Sequence, residues 1–235
     1  MMAGHSPIRT FKALSALLTY PGAELVAAID EIEAVIDDEN LLRPASRSGL
    51  QPLLHALRTD DLFDLQERYV ELFDRSRRHS LHLFEHIHGE SRDRGQAMID
   101  LVQHYERGGL LLTASELPDY LPLFLEFLST QPPGEARSLL AETSHVLSVL
   151  DERVSSRSPA YGAVFMAILS LAGEVRAAPV ATEGLAEIDD LAALDAEWEE
   201  TAVAFGPGTP DDGCSVDRLR IQMRAARRDA RQTTA

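Results

Sequence analysis

Apolar residues in this chain recur three and four positions apart through most of its length and alternate strictly almost nowhere. Such a pattern buries its apolar side chains only as helices, because a strand of period two would place them on both faces. The expected fold class is therefore all-α, a single-domain bundle of about eight to ten helices. Ile8, Phe11, Leu14 and Leu18 form the first stripe, which stops at Tyr20-Pro21-Gly22. Leu25, Ile29, Ile32 and Ile36 form the second. A short helix around 49–58 follows the breaker-rich stretch 43–48. Asp60 or Asp61 can cap the next helix, whose stripe is Leu62, Leu65, Tyr69, Leu72 and Phe73.

The second half continues the pattern. Residues 93–107 predict a helix with Met98, Leu101, Val102 and Tyr105 inward, ended by Gly108-Gly109. Pro118 is placed to start a helix reaching residue 129, with Leu121, Phe124, Leu125 and Leu128 on one face and Pro122 still within its first turn. Pro132-Pro133-Gly134 separates it from a helix over 135–155 lined by Leu140, Leu147, Leu150 and Val154. A further helix over 159–176 carries Val164, Ile168, Leu171 and Val175. Residues 183–212 hold ten acids and no Lys or Arg, yet Leu191, Leu194, Trp198 and Phe205 keep helical spacing. The expected organisation is one all-helical domain over 1–205, followed over 206–235 by a flexible segment and a basic tail, suited to intramolecular or subunit contact with the acidic body or else a solvated frayed end.

Composition removes several function classes. With 45% apolar residues among 235, the chain can bury a substantial core. No apolar run approaches the roughly 20 residues that span a bilayer, so direct membrane insertion is not expected. Lys12 inside the first apolar stretch, and the Pro-Gly after it, do not fit a secretory signal. Cys214 is the only cysteine, which excludes an internal disulfide and a cysteine zinc site and fits a reducing compartment. The expected localisation is cytoplasmic. Net charge is −16, and the six Arg and two Asp of 216–235 leave −20 on the rest, so the body suits a cationic partner and no nucleic acid. Lys12, the sole lysine, sits in no Gly-rich phosphate loop.

The densest chemistry lies between residues 69 and 128. His79, His82, His86 and His88 fall within ten residues, with Glu85 and Glu90 beside them. On a helix, His82 and His86 would share a face, joined by His79, and a metal-dependent enzyme using His82, His86, His88 and Glu85 is the alternative reading of this cluster. No HExxH occurs, so the zinc-protease arrangement is absent, and histidines that bond a loop or face a groove are the plainer reading. Asp119 and Glu126, seven apart, would share a helix face beside Tyr120, Phe124 and Phe127, with Glu116 just before them. No nucleophile or sugar-stacking set accompanies them, so no catalytic residue is assigned and the chain is not expected to be an enzyme. Acidic rims over an aromatic floor suit a short amphipathic, positively charged peptide. The plainer alternative makes Phe124 and Leu128 core, with Asp119 capping a helix or pairing with an arginine. Arg92 and Arg94 are more economically paired with Glu85, Glu90 or Asp74 than with a phosphate.

The run YVELFDRSRRHSLHLFEHIHGESRDRGQAMIDLVQHYERGGLLLTASELPDYLPLFLEFL resembles the signature region of the NarJ-type chaperones, the delta subunits that assemble respiratory molybdenum nitrate reductase, within the wider TorD-like family. FEHIHGESRDRGQAM is the most specific part, and ELPDYLPLFLEFL is similar to the wider family's acidic and aromatic helix. YPGAEL and LDAEWEETAVAF resemble the same family more loosely. Tyr120 departs from the motif, which most often has His there, and the arginine-rich tail has no counterpart in it. The resemblance implies a TorD-like, cytoplasmic private chaperone that is no part of the mature enzyme. It would grip the N-terminal segment of the catalytic (alpha) subunit of membrane-bound nitrate reductase and assist molybdenum cofactor insertion. The resemblance implies no stably bound cofactor, and a homodimer stays open.

The expected peptide groove combines Tyr69 and Phe73, then Phe84, Glu85, His86, His88 and Glu90, then Asp119, Tyr120, Leu123, Phe124, Glu126 and Phe127. Aromatics would carry the guest's apolar face, and Glu85, Glu90, Asp119 and Glu126 would meet its cations.

Overall fold

Helix α1 (Arg9–Leu17) begins at Ile8, which has no side-chain oxygen to cap it, so its first N–H groups need a partner from elsewhere. Glu39, the last residue of α2 (Ala23–Glu39), supplies it by accepting the Arg9 and Thr10 N–H groups at 2.8 Å each and the Thr10 hydroxyl at 2.7 Å. Burial works against this carboxylate's charge, but the hydrogen bonds from Thr10 and Arg9 outweigh it and hold Glu39 below the ordinary glutamate range. The computed structural model describes residues 8–87, 93–112 and 116–173, all within one unit spanning Met1–Ala186. The expected helix around Trp198, the boundary at 205/206 and the arginine-rich tail lie outside the described residues, as do His88, Glu90 and Arg92.

Every regular element of the described residues is helical, as the periodicity requires, apart from one isolated bridge. The apolar stripes land inward: Phe11, Leu14, Leu18, Ile29, Ile32 and Ile36 are all buried. One expectation fails at once. Residues 43–48 are not a breaker segment, because Pro44 occupies the first turn of α3 (Pro44–Gly49), where its missing N–H is harmless. Buried Leu50 then joins α3 to α4 (Gln51–Thr59), so the Pro-rich stretch yields two short helices. Asp61 caps α5 (Leu62–Tyr69), accepting the Phe63 N–H at 2.9 Å.

The chain then runs through α6 (Leu83–Ile87), α7 (Asp93–Arg107), α8 (Leu121–Thr130), α9 (Pro133–Arg157) and α10 (Pro159–Leu171). Only Tyr105 of the predicted α7 stripe is fully buried; Met98, Leu101 and Val102 are half-buried, which makes α7 a peripheral helix. In contrast α10 is apolar nearly all round, and Val164, Phe165 and Ile168 have no solvent contact. It packs against α9, α3 and α1. Gly162 makes the α9 contact possible, since a Cβ there would lie 2.1 Å from Ser155 Oγ and 2.8 Å from its Cα. Helix α1 also packs along α8, tied by the Ser15 hydroxyl donating to the Pro122 carbonyl at 2.6 Å.

Helix α8 starts at Leu121 rather than Pro118, and it is Pro122 that fills the first turn. The reason is competition for the backbone. The Leu83 N–H donates to the Asp119 carbonyl at 2.9 Å and the Leu121 N–H to the Leu81 carbonyl at 2.8 Å, which pairs 81–83 with 119–121. His82 and Tyr120 face each other in this antiparallel bridge as the pair without mutual hydrogen bonds, the kind whose side chains come closest.

Candidate functional site

Below α5 the helix widens into a π-turn over Val70–Asp74, closed by the Arg75 N–H donating to the Val70 carbonyl at 3.1 Å. Phe73, four residues on, lies under Tyr69 with ring centroids 4.8 Å apart, and the widening lets Asp74, five residues on, line the same concavity. Tyr20, in the breaker after α1, stands edge-on to Tyr69 at 5.6 Å. Tyr161 of α10 backs both Tyr69 and Phe73, at 6.2 and 5.2 Å. The result is a cleft of about 290 Å³ lined by Tyr20, Tyr69, Phe73, Asp74, Ser80, Leu81, His82, Glu116 and Tyr120.

Two tyrosine hydroxyls meet inside it. Tyr69 donates to the Leu18 carbonyl at 2.8 Å, so its single proton is committed and the 3.4 Å contact with Tyr120 is donated by Tyr120. Burial pushes the Tyr69 phenol far up, with Tyr120 adding to the effect, and burial raises Tyr120 as well. Both stay protonated at neutral pH. Tyr120 also stacks obliquely on His82 at 5.4 Å, across the bridge.

Asp119 holds the floor in place and is fully buried. Its Oδ1 accepts from His82 Nδ1 at 3.1 Å, its Oδ2 accepts the Phe84 N–H at 3.1 Å, and the Arg94 guanidinium lies 3.8 Å away. The Tyr105 hydroxyl clamps the same turn from the other side, donating to the Pro118 carbonyl at 2.7 Å. A carboxylate bonded on both oxygens repays part of its desolvation, and here it fixes the 81–84 strand against the start of α8. The hydrogen bond donated to Asp119 raises the His82 imidazolium above its ordinary value, with burial opposing.

The structure separates the two histidines that the spacing puts on one helix face. His82 lies on the bridge strand and His86 on α6, so they share no helix face. The His86 Nε2–H donates to the Ser80 carbonyl at 2.8 Å, and its Nδ1 faces Arg153 at 3.5 Å, which occupies both nitrogens. Burial, with Arg153 nearby, holds His86 below its ordinary value and so neutral.

The predicted groove residues separate into two sets. Tyr69, Phe73 and Tyr120 line the cleft, and Phe84 and His86 pack half-buried behind it. Phe124 and Phe127 are core, Phe127 lying under Tyr105 at 4.7 Å and against Gly108, while Leu123 is only partly exposed. Asp119 and Glu126 share no helix face. Asp119 precedes α8 and is buried, whereas Glu126 points to the α1 side and pairs with Lys12 at 3.1 Å. Glu85 is taken by Arg94 at 3.6 Å. The carboxylates that do line the cleft are Asp74 and Glu116, both inside the strings YVELFDR and ELPDYL, and Tyr20 joins them from YPG. A strict 3.6-residue period hides Asp74, because only the wider turn rotates it to the Tyr69 side.

Comparison with known families decides the lineage. The family model described as nitrate reductase delta subunit matches residues 39–167, which include the whole cleft except Tyr20. The chain belongs to the nitrate reductase delta subunit family. Among curated relatives, the nitrate reductase molybdenum cofactor assembly chaperone NarJ of Escherichia coli (strain K12) is 41% identical over 215 residues, covering 90% of this chain and 89% of the relative. The probable chaperone NarW of the same strain is 40% identical and covers 84% of each. A solved structure of a candidate redox enzyme maturation protein from Archaeoglobus fulgidus superposes with a TM-score of 0.53 at 21% identity, covering 74% of this chain and 98% of that one, which shows the shared all-α fold. In this delta subunit family member, the site is a fixed aromatic cleft with no set of three metal-ligating side chains among the described residues.

Proposed function

We propose that the chain is a system-specific assembly chaperone for a respiratory nitrate reductase, gripping the N-terminal segment of the apo catalytic subunit while the molybdenum cofactor is inserted. It is a chaperone and not an enzyme, and the cofactor is cargo for its client. Membership of the delta subunit family and the identity to NarJ support the role. The observation that carries the binding site is the cleft under Tyr20: an aromatic concavity with carboxylates at its mouth, held open by a backbone bridge and a buried aspartate. Such a surface takes an extended or helical segment by its apolar side chains and selects for positive charge.

In this reading Tyr69, Phe73 and Tyr120 contact the guest directly. Phe84, Glu85 and His86 support the wall that Asp119 anchors, and His88 and Glu90 follow it in sequence. Domain 1–205 is the functional unit and 206–235 an appended tail. The protein works on the cytoplasmic side of the membrane, and no helix among the described residues is long and apolar enough to cross it. Titration calorimetry of the full chain with the N-terminal peptide of the same organism's catalytic subunit tests the reading. Saturable heat at micromolar protein is expected, and its absence sinks the proposal.

A further inference from the structure

The buried tyrosines of the described residues do not all resolve their hydroxyls in the same way. Tyr69 and Tyr105 donate to the Leu18 and Pro118 carbonyls, at 2.8 and 2.7 Å. Tyr161 is as enclosed as these, at 6% exposure, yet among the described residues no group accepts its hydroxyl proton. Its ring stands edge-on to Tyr69 and Phe73, and the side chain lines a second cavity, of about 290 Å³, that neither the π-turn cleft nor the α1–α2 groove includes. Burial pushes the phenol up to about 12, with the Arg68 guanidinium opposing, so at neutral pH it is a donor. A buried donor without an acceptor is costly, and the cavity it lines is the space in which an acceptor would lie.

The rest of the polar wall is built the same way. Helix α10 starts at Pro159, which has no N–H, and the Gly162 N–H is taken by the Ser158 carbonyl at 2.9 Å. The Ala160 and Tyr161 N–H groups are left without an acceptor inside the helix, at the end where its dipole is positive. Ser158 precedes them with a hydroxyl that caps nothing, and Arg68 and Arg157 line the same space. Asp60 accepts from Arg68 at 2.5 Å and the Asp64 carbonyl at 3.1 Å, which orients that guanidinium. Glu71 is the one acid in the lining, and Arg75 pairs with it at 3.7 Å. Leu53, Leu65 and Leu72 supply apolar wall, all three buried.

Donors around a confined space select an acceptor, and a helix N-terminus beside guanidinium groups favours a negative one. Glu71 opposes a second negative charge, which disfavours a phosphate dianion, and the leucines accept a short hydrocarbon chain. At roughly 30 Å³ for each water in the liquid, the cavity has room for about ten, the bulk of a small organic acid. We propose that this cavity, between α4, α5 and the start of α10, binds a small aliphatic monocarboxylate, whose oxygens accept from the Tyr161 and Ser158 hydroxyls and the first N–H groups of α10.

The test titrates hexanoate into the full chain and follows the ring resonances of labelled tyrosine by NMR. Saturable shifts at Tyr161 are expected, with 1-hexanol and inorganic phosphate each binding at least about tenfold more weakly. Tyr161→Phe keeps the ring contacts and removes a hydroxyl that has no internal partner, so its urea midpoint should match wild type. Its affinity for hexanoate, read at the Leu65 and Leu72 methyl resonances, should fall about fivefold or more. No saturable Tyr161 shift up to about 20 mM hexanoate, binding of hexanol or phosphate as tight as that of hexanoate, or a Tyr161→Phe affinity within about twofold of wild type would each overturn the site. Should Tyr161→Phe fail to fold, Ser158→Ala, which removes no helix cap, carries the same comparison by the same criterion.

Discussion

Between α1 and α2 lies a groove of about 480 Å³ lined by Ala13, Ala16, Leu25, Ala28, Ile32 and Val35, while one residue past its Thr19 edge the tyrosine-walled cleft opens under Tyr20. The groove is larger and more apolar, yet the charges on its rim are largely spent: Lys12 pairs with Glu126, and Arg9 with Asp38 and Glu39. In the cleft, Asp74 and Glu116 have no ion-pair partner among the described residues, and the apolar surface is mostly aromatic. On the proposed reading, charge left open and not size marks the recognition site. A rim already neutralised from within gives a guest little selectivity, whereas unpaired carboxylates beside aromatic faces discriminate among guests.

The largest effect should come from removing the anchor of the cleft and not of the groove. Asp119→Ala leaves His82, the Phe84 N–H and Arg94 without their shared acceptor, and about 3 kcal/mol of stability should be lost in urea unfolding. A loss below about 1 kcal/mol would mean that the buried aspartate does not hold the wall. Next in size, Tyr120→Ala opens the cleft floor and should weaken the client peptide about tenfold, the usual scale of an aromatic anchor. Calorimetry on a variant shown to be folded by circular dichroism measures this directly.

Acidity should separate the two regions more gently. His82 has a raised value through its bond to Asp119, so its contribution to stability is complete below the unfolded imidazole value of about 6.5 and fades as pH rises through the folded value. His86 runs the other way. Burial lowers it, so its contribution is complete above about 6.5 and is lost as pH falls through the folded value. Subtracting His82→Asn from wild type isolates the first. The stability difference should be larger at about pH 5.5 than at about pH 8.5 by up to about 1 kcal/mol, since the imidazole is partly screened by solvent. A difference independent of pH would break the His82–Asp119 ion pair as an explanation. The smallest effect is expected in the groove itself: Ala28→Trp fills it and should change peptide affinity by less than about twofold. A loss comparable to that of Tyr120→Ala would make the groove part of the binding surface and undo the comparison.

Much of the fold was legible because helical stripes report burial directly. Ile29, Ile32 and Ile36, or Leu140, Leu147, Leu150 and Val154, go where their spacing sends them. Stretches rich in proline were less legible. Pro44 and Pro122 each sit in a first turn, and only the surrounding backbone shows whether such a proline starts a helix or precedes one. The site was legible as strings and not as geometry. YVELFDR, HLFEH and ELPDYL do meet, but the spacing does not show that Glu85, Asp119 and Glu126 already face Arg94, His82 and Lys12, or that Asp74 and Glu116 are the acids lining the cleft.

The sequence by itself determined the all-α class, most helix boundaries of the described residues and the family, because these depend on local periodicity and on short strings of residues. Tertiary structure alone decided which carboxylates remain open, which histidines are spent and which aromatics are core. Those outcomes depend on partners up to 114 residues apart, such as Lys12 with Glu126, and on a π-turn and a two-residue bridge that no helical period encodes.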